Sequence, residues 1–343
     1  MMSQSFHLKN KDMKEKEIMV GIDVSKATLD VCLLISNQSC LHQIKNNSKS
    51  IKLFFNKVLK EHKAAKLSVC MESTGYYNWP CYEAFEEMNM DLFVVNPLHL
   101  KKSMGLVRGK TDSIDAARIA KFIALHHQDL KPSLIPRKQI RVIQALLAQR
   151  NRLIETKVKF SVPTNELSFI ADKELSKQLE KSSKVLIDQI KIQIVKIETA
   201  LMDVIENDLE LKEKYQFITS VQGVGKVLAW TMLIKTNEFK SINDPRKLGC
   251  YAGVVPFEHQ SGTSIYKRPK VSLMADKRLK KLLHMAAMRA IQLKGDLQIY
   301  YQRKVSEGKN KMLVLNAVRN KIVARICSTV NNRRFYEINL NLS

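Results

Sequence analysis

Four carboxylates stand at the ends of apolar runs: Asp23 closes EIMVGID, Glu72 closes LSVCME, and Asp112 and Asp115 lie in KTDSIDAARIAKF. Carboxylate oxygens favour Mg2+ or Mn2+ over zinc. Two such ions about 4 Å apart can align a nucleophile with a leaving oxygen and hold the charge that develops at phosphorus during phosphodiester cleavage. Asp112 and Asp115 are one helical turn apart on one face, and Asp112 also reads as an N-cap. For any single acid a surface or capping role is the simpler reading; it is their joint placement that points to a metal site.

A second candidate is Ser261 in the loop HQSGTS, followed by Lys267, Arg268 and Lys270. Gly262 would let the backbone bend so that the hydroxyl stands clear, and the cations could hold a phosphate. Serine is a poor nucleophile without a base or metal, so a plain loop serine is the simpler reading of the residues alone.

The acids belong to a chain of 343 residues with 57 Lys and Arg against 33 Asp and Glu, a formal net charge of +24. Such a protein is suited to lie against a polyanion, and acids gathered in its surface would repel phosphate unless a divalent cation sat between them. Hydrophobic residues at 45% and charged residues at 26% are ordinary for a soluble globular protein, so the sign of the charge is the unusual quantity. No apolar run approaches the roughly 20 residues that span a bilayer, so a nucleic-acid partner explains the basic excess better than a membrane. The six cysteines include no CxxC pair and several lie in apolar stretches, as expected of reduced core residues in a cytoplasmic protein. Residues 1–16 and 337–343 are expected to be tails, and the first of these lacks the apolar centre of a secretory signal.

To bring the acids together, the elements must follow a particular order. Hydrophobic alternation predicts three strands in EIMVGIDVS, ATLDVCLLI and SCLHQIKN, with turns at Ser25-Lys26 and Asn37-Gln38. A helix over about 48–62, a strand ending at Glu72, a helix over about 79–89, a strand closed by Pro97 and a helix over 112–127 follow. This order is the one expected of an RNase H-like, or RuvC-like, core, and it delivers carboxylates from three separate segments to one place. That domain is expected over 17–131, a linker and helical coiled-coil insertion over 132–213, and a mostly α-helical domain over 214–336. A basic helix is predicted over about 139–159 with an interruption near Pro163, then a helix over about 173–213. Its seam of Ile187, Ile190, Ile194, Ile197, Leu201 and Val204 suits either a coiled coil or an ordinary packed helix.

In VQGVGK, Gly223 and Gly225 separate two helical segments, resembling a helix-hairpin-helix in which backbone N–H groups and Lys226 meet a phosphate; a plain glycine turn is the alternative. Helices over about 244–252, 276–294 and 310–331 are expected, with VVPFEHQSGTSIYKRPKVSLMAD as a loop. Lys101, Lys102, Arg108 and Lys110 could contact phosphates or form a solvated basic loop. Tyr76, Tyr77 and Trp79 could stack on a base or pack on the sheet.

The segments VGIDVSKATLDVCLL, MESTGYYNWPCYEAF, VVNPLHLKKSMGLVRGKTDSIDAARIAKF, VQGVGKVLAWTML, LGCYAGVVPFEHQSG and KRLKKLLHMAAMRA resemble the Piv-type DNA invertases and the IS110 family of insertion-sequence transposases, also called bridge recombinases. The resemblance runs from about residue 18 to about 336. It implies a RuvC-like DEDD domain binding divalent metal through Asp23, Glu72, Asp112 and Asp115. It further implies a coiled coil, and a transposase domain whose nucleophilic serine matches Ser261, with Ser264 as the alternative register. DNA would be joined through a covalent phosphoserine, the metal site of one subunit completing the serine site of another in a dimer or tetramer. A noncoding guide RNA would choose target and donor. Two other readings of the residues stay open: a RuvC-like structure-selective nuclease using water, and a non-catalytic nucleic-acid-binding protein.

Overall fold

The computed structural model describes residues 17–62, 66–88, 90–103, 112–166, 169, 172–261, 265–272 and 274–337; the side chains of 112–113, 162–166, 258–261, 265–268 and 270 lie outside that description. The chain divides into two compact units, one ending at Ile135 and the other beginning at Pro136.

The first unit runs β1 (Glu17–Val24), β2 (Thr28–Ile35), β3 (Gln38–Lys45), α1 (Ser48–Glu61), β4 (Lys66–Glu72), α2 (Trp79–Glu86), β5 (Asp91–Val95), α3 (Pro97–Ser103) and α4 (Asp112–His126). Its sheet has the order β3-β2-β1-β4-β5. The first three strands are antiparallel, whereas β4 and β5 run parallel to β1, which agrees with the RNase H-like order. Ser36 and Asn37 carry φ of 48° and 67°, the pair of left-handed residues that a tight hairpin needs to match strand twist. The second turn is therefore Ser36-Asn37, one residue earlier than expected, and Gln38 already belongs to β3.

Period-two alternation gives the sheet two apolar faces. Ile18, Val20, Ile22, Val31, Val69 and Met71 pack with Ile51 and Phe55 of α1 and Phe85 of α2. On the opposite face, Met19, Cys32, Cys70 and Phe93 pack with Ala116, Ile119, Ala120 and Ile123 of α4. Helix α3, over a stretch to which the sequence assigns no element, starts at Pro97, where Asn96 Oδ1 accepts the Leu98 N–H at 2.9 Å.

The second unit contains α5 (Lys138–Glu166), α6 (Lys173–Glu206), α7 (Leu209–Ser220), α8 (Lys226–Lys235), α9 (Pro245–Tyr251), β6 (Phe257–Ser261), β7 (Ile265–Lys270), α10 (Lys277–Ala290), α11 (Asp296–Ser306) and α12 (Lys311–Asn331). Trp230 is fully buried at its centre, among residues from α5, α6, α7, α8, α10 and α12. Four expectations change here. Helix α5 continues through Pro163, whose missing N–H removes one backbone bond at a cost of about 3 kcal/mol in an isolated helix. The long helix expected over 173–213 breaks at Asn207 because Asp208 caps a new one, its carboxylate accepting the Leu211 N–H at 3.0 Å. The stretch expected to be a loop around Ser261 forms the antiparallel hairpin β6–β7. Finally, α11 occupies residues to which no element was assigned.

Burial pushes the thiols of Cys70, Cys81 and Cys327 up to about 12, so they pack as neutral core groups. No helix among the described residues is long and apolar enough to cross a membrane.

One ion-pair cluster organises the second unit. Asn237, Glu238 and Phe239 all have positive φ (47°, 60° and 64°), each a conformation costing about 1–2 kcal/mol for a residue with a Cβ. Glu238, 1% exposed, is held there by Arg137 through Nε at 2.7 Å and Nη2 at 2.6 Å. Arg137 Nη1 also donates to Asp208 at 2.9 Å, tying the start of α5 to the α6–α7 junction and the end of α8. Burial pushes the Asp208 carboxyl up, but the Leu211 N–H and the Arg137 guanidinium outweigh this and hold it below the usual carboxylate range. A depressed carboxyl stabilises above its unfolded pKa, and that contribution is lost as pH falls through the folded value. Arg137→Met should therefore lower stability by roughly 1–3 kcal/mol at neutral pH, because it leaves buried Glu238 only the Lys214 and Lys240 ammonium groups at 3.6 Å. It should also flatten the loss of stability below about pH 4, as urea unfolding across a pH series would show.

Candidate functional site

Asp23 lies one residue before the end of β1, and Glu72 ends β4. The parallel register pairs Gly21 with Cys70 and Ile22 with Met71, so its next step sets Asp23 beside Glu72. Both are half-buried and share the face covered by α4.

Three loop contacts fix these strand ends. The Ser25 hydroxyl donates to the Thr28 carbonyl at 2.7 Å and closes the turn after Asp23. Asn46 Nδ2 donates both to the Ser25 carbonyl at 2.7 Å and to the Tyr77 carbonyl at 3.0 Å, joining the loop behind Asp23 to the loop behind Glu72. Buried Asn78 donates to the Glu72 carbonyl at 2.8 Å and accepts from the Thr74 hydroxyl. Nothing in the sequence marks either asparagine: Asn46 bonds to carbonyls 21 and 31 residues away, and Asn78 to the Glu72 carbonyl through a local turn without periodicity. Tyr76 and Tyr77 of this loop are exposed, and Tyr76 meets the half-buried Trp79 edge-on at 5.7 Å between centroids.

Asp115 comes from α4, half-buried, with Oδ1 accepting from Arg118 Nη1 at 2.7 Å. What sets its helix against β1 is Gly21. A Cβ on Gly21 would lie 2.2 Å from both the Ala116 carbonyl oxygen and the Ala120 nitrogen, so helix backbone rests directly on strand backbone. Asp115 precedes Ala116, and Asp23 stands two residues beyond Gly21 on the same face. Asp112 begins α4, but its side chain lies outside the description. Among the described residues no three His, Cys, Asp or Glu side chains converge closely enough to hold a metal. A fifth carboxylate went unnoticed in the sequence: Asp30 of β2 is cross-strand partner to Asp23, buried, and accepts from Gln43 Nε2 at 3.2 Å.

The hard oxygen donors of this set suit Mg2+ or Mn2+, and Asp23 and Glu72 are held on neighbouring strands before any ion arrives. Asp115 would exchange its bond to Arg118 for such an ion.

In the second unit, Ser261 ends β6 opposite Ile265; residues 262–264, Ser264 among them, lie outside the described residues. Lys267, Arg268 and Lys270 all fall on β7. Gly223 has φ +88°, and a Cβ there would meet the Ala286 carbonyl at 2.4 Å; Gly225 caps α8 and faces open space. The two glycines and Lys226 line an open pocket of about 270 Å³ with Leu282 and Met285. Lys226 is ion-paired with Glu198 of α6, which also accepts from Arg150 Nε at 2.6 Å. Lys101 and Lys102 lie exposed in the last turn of α3, whereas Arg108 and Lys110 fall outside the described residues.

Comparison with known proteins fits both units. Residues 20–165 match the DEDD transposase model of the IS110 type, and residues 215–302 match the model described as transposase IS116/IS110/IS902 family. The pilin gene-inverting protein of Moraxella lacunata is 24% identical over 325 residues, covering 93% of this chain and 97% of that protein. The transposase for insertion sequence element IS1533 of Leptospira borgpetersenii is 22% identical over 263 residues, 68% of this chain and 73% of its own. Fold, charge and matches together define an enzyme that breaks and rejoins DNA strands. The chain belongs to the IS110 family of transposases, with Piv-type invertases among its relatives.

The packing at Gly21 can be checked directly. Gly21→Ala should push α4 off β1, lower stability by about 1–3 kcal/mol and speed hydrogen exchange of α4 amides, while exchange in α8 and α12 stays unchanged. Unchanged α4 exchange would show that the close approach is not required.

Proposed function

We propose that the protein is a site-specific recombinase that moves or inverts its own DNA element through a carboxylate metal site and a covalent phosphoserine. The observation that carries this reading is the side-by-side placement of Asp23 and Glu72 at the ends of adjacent parallel strands, on the face where α4 brings Asp115.

Asp23, Glu72, Asp112 and Asp115 would hold Mg2+ or Mn2+. When bound, the ion supplies positive charge that screens phosphate from the acids and lowers the cost of deprotonating a nearby hydroxyl. Ser261 is the proposed nucleophile. Its Oγ forms a bond to phosphorus as the phosphodiester's bridging P–O bond breaks; the serine proton leaves, and the released oxygen takes up a proton. A new DNA hydroxyl then attacks the phosphoserine, forming a P–O bond and returning Ser261. The number of phosphoester bonds is conserved, so rejoining needs no ATP.

The remaining parts of the reading follow from charge and shape. Gly225 opens the N-terminus of α8 to a phosphate in a helix-hairpin-helix manner, with Lys226 leaving Glu198 to assist. Lys101, Lys102, Arg108, Lys110, Lys267, Arg268 and Lys270 would contact nucleic-acid backbone, and a noncoding guide RNA would share the positive surface. The seam of α6, buried at Ile194 and Leu201 and half-buried at Ile187 and Ile190, is covered by α5 and the core of the same chain and so supports an intrachain coiled coil; association into a dimer or tetramer is a separate part of the reading.

Ser261→Ala should abolish both strand exchange and the covalent protein–DNA adduct, read as a band that survives denaturation. Adduct formation by that variant would transfer the role to another residue, with Ser264 tested next. Cleavage without any adduct in the wild type would favour hydrolysis by water. Asp23→Asn should lower exchange by at least about a thousandfold, with an unchanged unfolding midpoint; full activity at saturating Mg2+ would remove Asp23 from the metal site.

A further inference from the structure

The second unit buries a guanidinium that meets no carboxylate among the described residues. Arg319 of α12 is 7% exposed. Its Nη2 donates to Nδ1 of His284 at 2.8 Å and its Nη1 to Asn316 Oδ1 at 3.3 Å. Its Nε is buried with no hydrogen-bond partner, and it makes no ion pair with an acid among the described residues. Three other arginines of the unit do meet acids: Arg137 meets Glu238 and Asp208, Arg150 meets Glu198, and Arg325 meets Asp296. Burying a cation against neutral groups alone is costly, and a purely structural position would be better served by an apolar side chain of similar size.

The surroundings point the same way. Burial, then the adjacent guanidinium, hold the His284 pKa below its ordinary value, so the ring is neutral at neutral pH. Accepting at Nδ1 leaves its hydrogen on Nε2, and on this half-exposed side chain that N–H makes no bond within the described residues. Asn316 Nδ2 donates to the Val254 carbonyl at 2.8 Å, while Gly249 leaves room for Asn320, whose Oδ1 would lie 3.1 Å from a Cβ there. Residues 249–255 lead directly into β6 and Ser261.

We infer that Arg319 and His284, braced by Asn316, form a binding site for one DNA phosphate beside the segment that leads into the serine hairpin. The inference rests on the reading of the chain as acting on DNA and adds residues that this reading did not include. The anion supplies the charge that Arg319 lacks, accepting from the His284 Nε2–H and neutralising the guanidinium behind that ring. Planar, fixed donors of this kind suit a tetrahedral phosphate better than a flexible lysine. The site would hold the strand beside Ser261 without taking part in bond breaking.

The test uses the full chain with Arg319→Met, which keeps volume and removes charge. In the wild type, inorganic phosphate should raise the melting temperature above that seen in potassium chloride of matched ionic strength; in Arg319→Met this rise should vanish. The variant should melt no lower than wild type without phosphate, yet bind duplex DNA roughly tenfold or more weakly, the scale of lost charge-assisted bonds. An equal phosphate response in both proteins, or wild-type DNA affinity in the variant, overturns the site. Weakened binding confined to single-stranded RNA of the same sequence overturns the assignment to DNA. Should Arg319→Met fail to fold, His284→Phe decides: loss of the phosphate response supports the site, and an intact response overturns it. Because the phosphate arm needs no catalysis, its failure is separable from failure of the metal and serine assignments.

Discussion

The first unit depends on a contact between two backbones. Where α4 crosses β1, no side chain separates helix from strand, because residue 21 is glycine and the Ala116 carbonyl and Ala120 amide occupy the volume of its missing Cβ. Ala116 and Ala120, one turn apart, extend the small-residue groove on the helix side. Such an approach is rigid, since side chains can change rotamer but main-chain atoms in van der Waals contact cannot yield without moving an element. The carboxylates that frame this contact come from segments about ninety residues apart in sequence. Their relative position is inherited from it rather than from any bond between them. The Asn46 and Asn78 side chains do for the loops what Gly21 does for the helix: Asn46 joins the loop after Asp23 to the loop after Glu72, and Asn78 closes the latter onto the Glu72 carbonyl.

The second unit solves a different problem, the closure of long helices onto a common core. Three successive left-handed residues turn the chain after α8, and their strain is offset by a carboxylate that meets an arginine at the start of α5. Arg150 and Lys226 converge on Glu198 in the same way, linking α5, α6 and α8. Acids are scarce in this basic chain, and several of them serve such internal pairs. Cations are thereby left to the surface, and among the described residues Arg319 lies in the interior without an acid beside it.

Much of this was legible beforehand. Strands β1, β2 and β4 announce themselves by apolar runs, and α1, α4, α10 and α12 by helical periodicity, because burial against one or two layers leaves a regular imprint. Asp23, Glu72 and Asp115 could be named from their places at the ends of such runs. What escaped depends on contacts without periodicity. The hairpin around Ser261 has too few apolar residues to signal strands, α11 is short and polar, and Asp208 looked like one more acid in a long helix until its cap bond appeared. Gly21 passed as an ordinary strand glycine, since the helix backbone that demands it lies some ninety-five residues later. Arg319 was equally silent, for a buried and an exposed arginine are the same letter.

The core around Trp230 also bears on how the chain could be divided. The two stretches shared with the transposase family end at 165 and begin again at 215. Yet this single core takes Ile140 and Ile143 from the first stretch, Trp230 from the second, and Leu201 and Ile322 from neither. Borders of shared sequence are thus not borders of folding. A fragment cut along the second stretch would expose the faces that α5, α6 and α12 now cover. Exchange of parts between relatives would have to respect the junction at Ile135 and Pro136, where one core ends before the other begins.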